Sequence, residues 1–199
     1  MALGGIGMYL LLTLLTRFAQ TPGTAGYGFG LSVFEAGLTL VPFSVMGFVA
    51  GRLNPKISTR LGARTTLAAS SVTVLVAFLV FLFTHTHVIE ILTAQAILGF
   101  GVGAVSAAMP AVILAVTPAA ETSSAMAFNQ VVRSINFSFG SAIGGLVPAA
   151  HPPTAQTFPT DHGYTIAAAS GMAITTLTVV VVVRAGHKQR PGTDRAWNP

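Results

Sequence analysis

The sequence predicts an all-α integral membrane protein of six transmembrane helices, and three observations carry that expectation. Only 8% of the 199 residues are charged and 52% are hydrophobic, where a soluble domain carries about a quarter charged residues. The mean hydropathy is +0.74. Six mainly apolar runs approach or exceed the ~20 residues that a helix needs to cross a hydrocarbon core of roughly 30 Å, and the polar–apolar alternation of a membrane β-barrel strand is missing.

The first run, 2–19, ends at Arg17 and Gln20, and the turn-rich TPGTAGYGFG over 21–30 follows it. The second, 35–53, opens on Ser32-Val33-Phe34-Glu35, a capping box in which Ser accepts from the third amide and Glu reaches back to the amide of the cap. A basic stretch, Arg52 to Arg64, separates it from the third run, 65–84. The short THTH segment precedes the fourth run, 91–116, which contains Pro110 and ends at Thr117-Pro118. The fifth run, 125–150, starts beyond Glu121, an acid that the helix dipole favours at that end. A Pro- and His-rich loop, 151–162, leads to the sixth run, 164–183. Residues 1–184 thus read as one transmembrane bundle and 185–199 as a basic cytoplasmic tail.

Orientation follows from the basic residues, because short cytoplasmic loops keep Lys and Arg while translocated loops lack them. Of ten Lys and Arg, four lie at Arg52, Lys56, Arg60 and Arg64 and four at Arg184, Lys188, Arg190 and Arg195. Four crossings separate the two stretches, so both fall on one side, the cytoplasmic one. The loops with Glu90 and Asp161 contain no Lys or Arg and fall outside. The N-terminus falls inside yet has no charged flank, which leads to the expectation that the chain is truncated there. Clustered at membrane flanks, the basic residues behind the net charge of +5 do not make a nucleic-acid-binding face.

The absence of cysteine excludes disulfides, thiolate metal sites and thiol nucleophiles. The histidines, at 85, 87, 151, 162 and 187, all lie outside the apolar runs. His85 and His87 offer two ligands where zinc sites use four, so no metal is expected.

Several segments carry a family resemblance. Tyr27-Gly28-Phe29-Gly30 with Ala36-Gly37-Leu38 and Pro42 leads into the second helix. Gly51-Arg52-Leu53 and Arg60-Leu61-Gly62-Ala63-Arg64 look like a degenerate copy of a basic loop between paired helices. Gly99-Phe100-Gly101-Val102-Gly103 with Pro110, and Thr117-Pro118 through Glu121, Asn129 and Arg133 to Gly140 and Gly144, complete the pattern. In order and spacing these resemble the C-terminal half of a major facilitator superfamily transporter of the fourteen-helix drug:proton antiporter branch. The resemblance implies one six-helix bundle, half of the superfamily fold, in the plasma membrane, with a small-molecule substrate bound between two bundles. It implies proton-coupled efflux of drugs or other small molecules by alternating access, and a second wall supplied by a missing N-terminal half or by a homodimer partner. It implies neither cofactor nor catalytic residue.

Two polar stripes are candidates for the wall of the substrate cavity. Tyr9, Thr13, Arg17 and Gln20 recur at spacings of four, four and three, which aligns them on one helical face; alternatively Arg17 snorkels to the interface. Asn129, Arg133 and Asn136 continue into Gly140 and Gly144 on a second face. From a helix start near Thr122, Arg133 lies roughly 16 Å from the cytoplasmic end, where it faces a cavity or pairs with a neighbouring helix. Glu35 and Glu121 sit at helix starts, so no acid remains deep in the membrane and a proton-coupling carboxylate belongs to the missing half. The pairs Gly47/Gly51, Gly99/Gly103 and Gly140/Gly144 are each four apart, the spacing of flat faces where helices approach closely. Other readings are a nonfunctional fragment, an accessory membrane subunit and, more distantly, an intramembrane hydrolase using Ser141. The hydrolase lacks a base, because every His is in a loop or tail.

Overall fold

The computed structural model describes residues 2–84, 86–149 and 161–187. His85, His151 and the basic residues Lys188, Arg190 and Arg195 of the tail lie outside them. The described residues form seven helices: α1 (Ala2–Gln20), α2 (Val33–Leu38), α3 (Leu40–Leu61), α4 (Ala63–Phe83), α5 (Val88–Leu114), α6 (Thr122–Ala149) and α7 (Asp161–His187). Short 3-10 turns at Gly23–Ala25 and Ala119–Glu121 precede α2 and α6. No strand occurs among the described residues. Because α2 and α3 are successive parts of one span, the six expected crossings are all there. By length and composition alone, four helical stretches are apolar enough to cross a membrane, Val33–Leu61, Thr65–Phe83, Val88–Leu114 and His162–Val181. The polar faces of α1 and α6 turn toward each other inside the bundle.

The division of the second span has a local cause. Pro42 has no N–H to give the carbonyl of Leu38, and its ring collides with that carbonyl in a regular helix. The chain accordingly turns at Thr39, whose hydroxyl donates to the carbonyl of Ala36 at 2.7 Å. At the N-terminal start of this span, Ser32 accepts from the Glu35 amide at 3.3 Å and donates its own amide to the Glu35 carboxylate at 2.9 Å, completing the capping box. Glu90 plays the same part for α5, accepting from the amides of Thr86 at 2.7 Å and His87 at 2.9 Å.

The basic loop expected after residue 53 is not a loop. Helix α3 continues to Leu61 and α4 begins at Ala63, so Gly51, Arg52 and Arg60 are helical and Gly62 alone joins the two. Arg64 lies in the first turn of α4. A long amphipathic end costs little where it leaves the hydrocarbon, and Arg52 lies over the Phe48 ring, 5.1 Å from its centroid. Gly62 has φ +82, a region that residues with a Cβ rarely adopt. At the other end of the chain, α7 runs to His187, past the expected boundary at 184.

The helices form two layers. A front row runs α3, α5, α1, α6, and α4 and α7 stand behind it, each packed on the other. The most extensive contacts are α3 on α5 and α4 on α5, followed by α1 on α6 and α1 on α7. Exchanging the first three spans for the last three maps this pattern onto itself: α1 with α6 becomes α5 with α3, and α1 with α7 becomes α5 with α4. Since span one and span four run in opposite directions, the chain contains two inverted three-helix repeats.

Glycine makes both front-row crossings close. A Cβ on Gly103 would meet the Gly47 backbone at 2.7 Å, and one on Gly99 the Phe43 backbone at the same distance. A Cβ on Gly140 would lie 2.9 Å from the Cβ of Tyr9, and one on Gly144 would lie 3.1 Å from the carbonyl of Leu10. Gly51 behaves differently, with open space where its Cβ would be, so the Gly47/Gly51 pair contributes one contact surface and not two. Asn54, buried on α3, donates to the carbonyl of Ala104 on α5 across the same crossing. Buried Ser and Thr hydroxyls within the helices donate to carbonyls of their own helix, as Ser70 to Thr66 at 2.7 Å and Thr175 to Gly171 at 2.8 Å illustrate. That arrangement suits a medium without water.

Candidate functional site

The two ends of the bundle differ. At the end where α1 leads into the 21–31 connection, Phe18 of α1 sits among Phe29 and Tyr27 of that connection, Phe81 of α4 and Tyr164 of α7, with ring centroids 5.4 to 5.9 Å away. The Tyr164 hydroxyl is 3.2 Å from that of Thr21. The connection folds back onto α1 through amide bonds from Gly30 to the Thr21 carbonyl at 2.8 Å and from Leu31 to the Ala19 carbonyl at 3.0 Å. Gly28, at φ +83, lies where a Cβ would strike the Thr21 carbonyl. The aromatic rings and this fold of chain pack this end of the bundle.

At the opposite end, where α3 and α4 meet at Gly62, a cavity of about 200 Å³ reaches into the bundle. α1 contributes Gly4, Gly5, Met8 and Tyr9, and α6 contributes Met126, Asn129, Gln130, Val132, Arg133 and Asn136. Residues Val102 to Pro110 of α5 form the facing wall, with Leu67 and Ser71 of α4 and Thr178 of α7 as its floor. The cavity therefore lies between the two repeats. Pro110 leaves the Ser106 carbonyl without its helical donor, and both residues line the space.

Four of the seven residues expected at a substrate wall meet here. The Arg133 Nε–H donates to the Tyr9 hydroxyl at 3.3 Å. The Tyr9 ring stands edge-on to Phe137 with centroids 4.8 Å apart. Asn129 precedes Arg133 by one helical turn, and Asn136 follows it by one, with the amide of Asn136 lying against Gly5: a Cβ there would come within 2.8 Å of Asn136 Nδ2. Among the described residues Arg133 is the sole charged one in the lining, and its side chain is exposed.

Thr13, Arg17 and Gln20 do not line this cavity. The Thr13 hydroxyl donates to the Tyr9 carbonyl at 2.9 Å, and its side chain is where a Cβ on Gly144 would fall, at 3.1 Å. Arg17 crosses to α6 near the aromatic end and donates through Nη1 to the Gly145 carbonyl at 3.4 Å. Gln20 is exposed at the C-terminal end of α1. The stripe is a single helical face, as its spacing requires, but α1 traverses the whole bundle and the cavity occupies only its N-terminal half.

Polar residues that sequence reasoning passed over also matter. Gln130 lines the cavity one position from Asn129, and its proximity on α6 was the available signal. Gln95 is fully buried in α5, and neither its amide nitrogen nor its oxygen has a hydrogen-bond partner among the described residues. An amide in the middle of an apolar run was visible in the sequence, but its lack of a partner was not. The pairings of Phe43 with Gly99 and of Gly47 with Gly103 advance together by four, so one turn further out Gln95 is level with Thr39, where the second span turns.

Six membrane crossings in two inverted three-helix repeats, closed at one end and holding a polar cavity at the other, define a transporter bundle. The chain belongs to the Major Facilitator Superfamily, whose family model matches residues 1–196. Multidrug efflux pump LfrA of Mycolicibacterium smegmatis (strain ATCC 700084 / mc(2)155) is 28% identical to it over 71% of this chain and 31% of its own length. The chain spans less than half the length of this curated relative. It is a multi-pass protein of the cell membrane, and membership in a superfamily of transporters removes the hydrolase reading of Ser141.

Proposed function

We propose that this six-helix bundle forms one side of a secondary transporter that expels drugs or other small molecules by proton-coupled alternating access. The cavity between the repeats carries the proposal: a polar-lined space containing Tyr9, Asn129, Arg133 and Asn136, open at one end and backed at the other by packed aromatic rings. Similarity to a protein named as a multidrug efflux pump supports the efflux direction. The basic residues Arg52, Lys56 and Arg60 near the cavity's end support a cytoplasmic location for that end.

The exposed apolar residues of the front row, among them Val41, Val45 and Phe48 on α3 and Phe128, Val131 and Ile135 on α6, suit contact with a second bundle. That bundle is an N-terminal half or a second copy of this chain. It supplies the other wall and the body against which this one rocks. Glu35 and Glu90 bond to amides at outer helix starts, so the coupling carboxylate belongs to the second bundle.

Reconstitution in liposomes tests this reading. Alone, the chain should insert and bind dye without moving it, whether the dye is a lipophilic cation, anion or neutral molecule, when a pH gradient is imposed. Gradient-dependent efflux by the chain alone, lost in Arg133→Ala, would show that six helices suffice and overturn the one-sided reading.

A further inference from the structure

The charge and hydrogen-bonding state of the cavity point to a substrate class. We propose that it receives the acidic end of an amphipathic organic anion, with Arg133 pairing the carboxylate or sulfonate and the neighbouring methionines holding the apolar body. This rests on the reading of the cavity as part of the transport site.

Among the described residues Arg133 is the one charge in the lining, and no carboxylate accompanies it there. Glu35 and Glu90 are bonded to backbone amides at the outer end, and Glu121 lies exposed in the turn before α6. A cation in a cavity without a counter-charge among the described residues favours an anion and repels another cation. The guanidinium is also free in the direction that matters. Its Nε is directed at Tyr9, while its two Nη groups have no hydrogen-bond partner among the described residues. Those groups present the planar fork that matches a carboxylate or sulfonate.

The amides of Asn129, Gln130 and Asn136 make no side-chain hydrogen bond among the described residues, although all three line the cavity. At four and three residues before Arg133 and three after it, they share its face of α6 and offer donors on either side. Around this polar centre the lining is apolar and deformable, with Met8, Met109 and Met126 from three helices. Unbranched methionine reshapes to different apolar bodies, which suits a site for varied molecules. A cavity of about 200 Å³ falls below the range of about 300–1,000 Å³ typical of drug pockets, so it takes one end of a molecule.

An anionic lipid headgroup and a free organic anion present the same chemistry, and the experiment separates them. The purified chain in neutral detergent is titrated with 1-pyrenebutyrate, its neutral amide and a trimethylammonium analogue on the same ring, followed by fluorescence anisotropy. The anion is expected to bind at least tenfold more tightly than the cation. Arg133→Gln should remove that preference while leaving the neutral amide unchanged, and Arg133→Lys should restore part of it. If the Gln variant does not fold, the preference of the unsubstituted chain still decides. Equal or tighter binding of the cation overturns the proposal but leaves the cavity as a ligand site, whereas no binding of any probe removes the site itself and the function built on it. Repeating the titration in nanodiscs with and without phosphatidylglycerol assigns the source: competition by the lipid identifies a headgroup, and its absence a free anion.

Discussion

Tyr9 and Arg133 meet across two helices that are 124 residues apart in the chain, and the hydroxyl is the acceptor that holds the guanidinium's Nε end. Tyr9→Phe keeps the ring against Phe137 and deletes this acceptor. It should leave the fold intact and weaken discrimination between anionic and neutral ligands by about two- to tenfold, the scale of one hydrogen bond of about 0.5–1.5 kcal/mol. Titration of the same pyrene probes checks it, and an unchanged ratio would show that Tyr9 does not orient the arginine. The glycines allow a sharper contrast. Gly103→Ala forces a methyl group into the Gly47 backbone and should destabilise the chain by about 1–3 kcal/mol. Gly51→Ala meets open space on a helix and should be neutral or stabilise by up to about 1 kcal/mol. Thermal unfolding in detergent distinguishes them, and equal effects would contradict the crossing geometry. Spacing alone made Gly47, Gly51, Gly99 and Gly103 equivalent; only the position of α5 separates them.

The helices themselves were legible because bilayer thickness and backbone hydrogen bonding leave a span few alternatives. Their ends were less so. Hydropathy falls at Arg52, yet α3 continues for two further turns because polar side chains do not break a helix that has left the hydrocarbon. What ends it is Gly62, by its left-handed backbone. Neutralising Arg60 and Arg64 together, at the junction of α3 and α4, is expected to disturb insertion or conformational switching and to spare ligand affinity, since Arg60 lies away from the cavity lining. Reporter fusions read insertion and anisotropy reads affinity; weakened binding with normal insertion would argue against it. In α5, Gln95 is a buried amide with no partner, so Gln95→Leu should raise stability by about 1–3 kcal/mol. A loss of stability on that substitution would mean the amide finds a partner that the described residues do not show.

At the scale of the molecule, topology is the most exposed claim. Reporters after Ala63 and at the C-terminus should score as cytoplasmic, and those near Thr86 and Thr157 as external, although Thr157 lies outside the described residues. An internal score at Thr86 would reverse the bundle and turn the cavity outward. The two inverted repeats make the arrangement self-consistent: α1 with α6 and α5 with α3 form equivalent glycine-lined crossings, and the cavity opens where the repeats part. The proposed alternating access asks one end to close as the other opens, and under it the aromatic cluster around Phe18 is the element that would have to open.

The sequence by itself determined the class of protein, the number of crossings and the family. A bilayer without water forces apolar length and internally satisfied backbone, and those demands are written locally, run by run. It also identified Tyr9, Asn129, Arg133 and Asn136 as polar residues on helical faces, because helical periodicity is a local property. Tertiary structure decided which faces meet. Tyr9 and Thr13 lie on one stripe and are a single turn apart, but the α1–α6 crossing sends Tyr9 to the cavity and Thr13 into packing beneath Gly144. Periodicity reports direction about one helix axis. Where that direction ends, in a cavity, on a carbonyl or against another helix, depends on neighbours more than a hundred residues away.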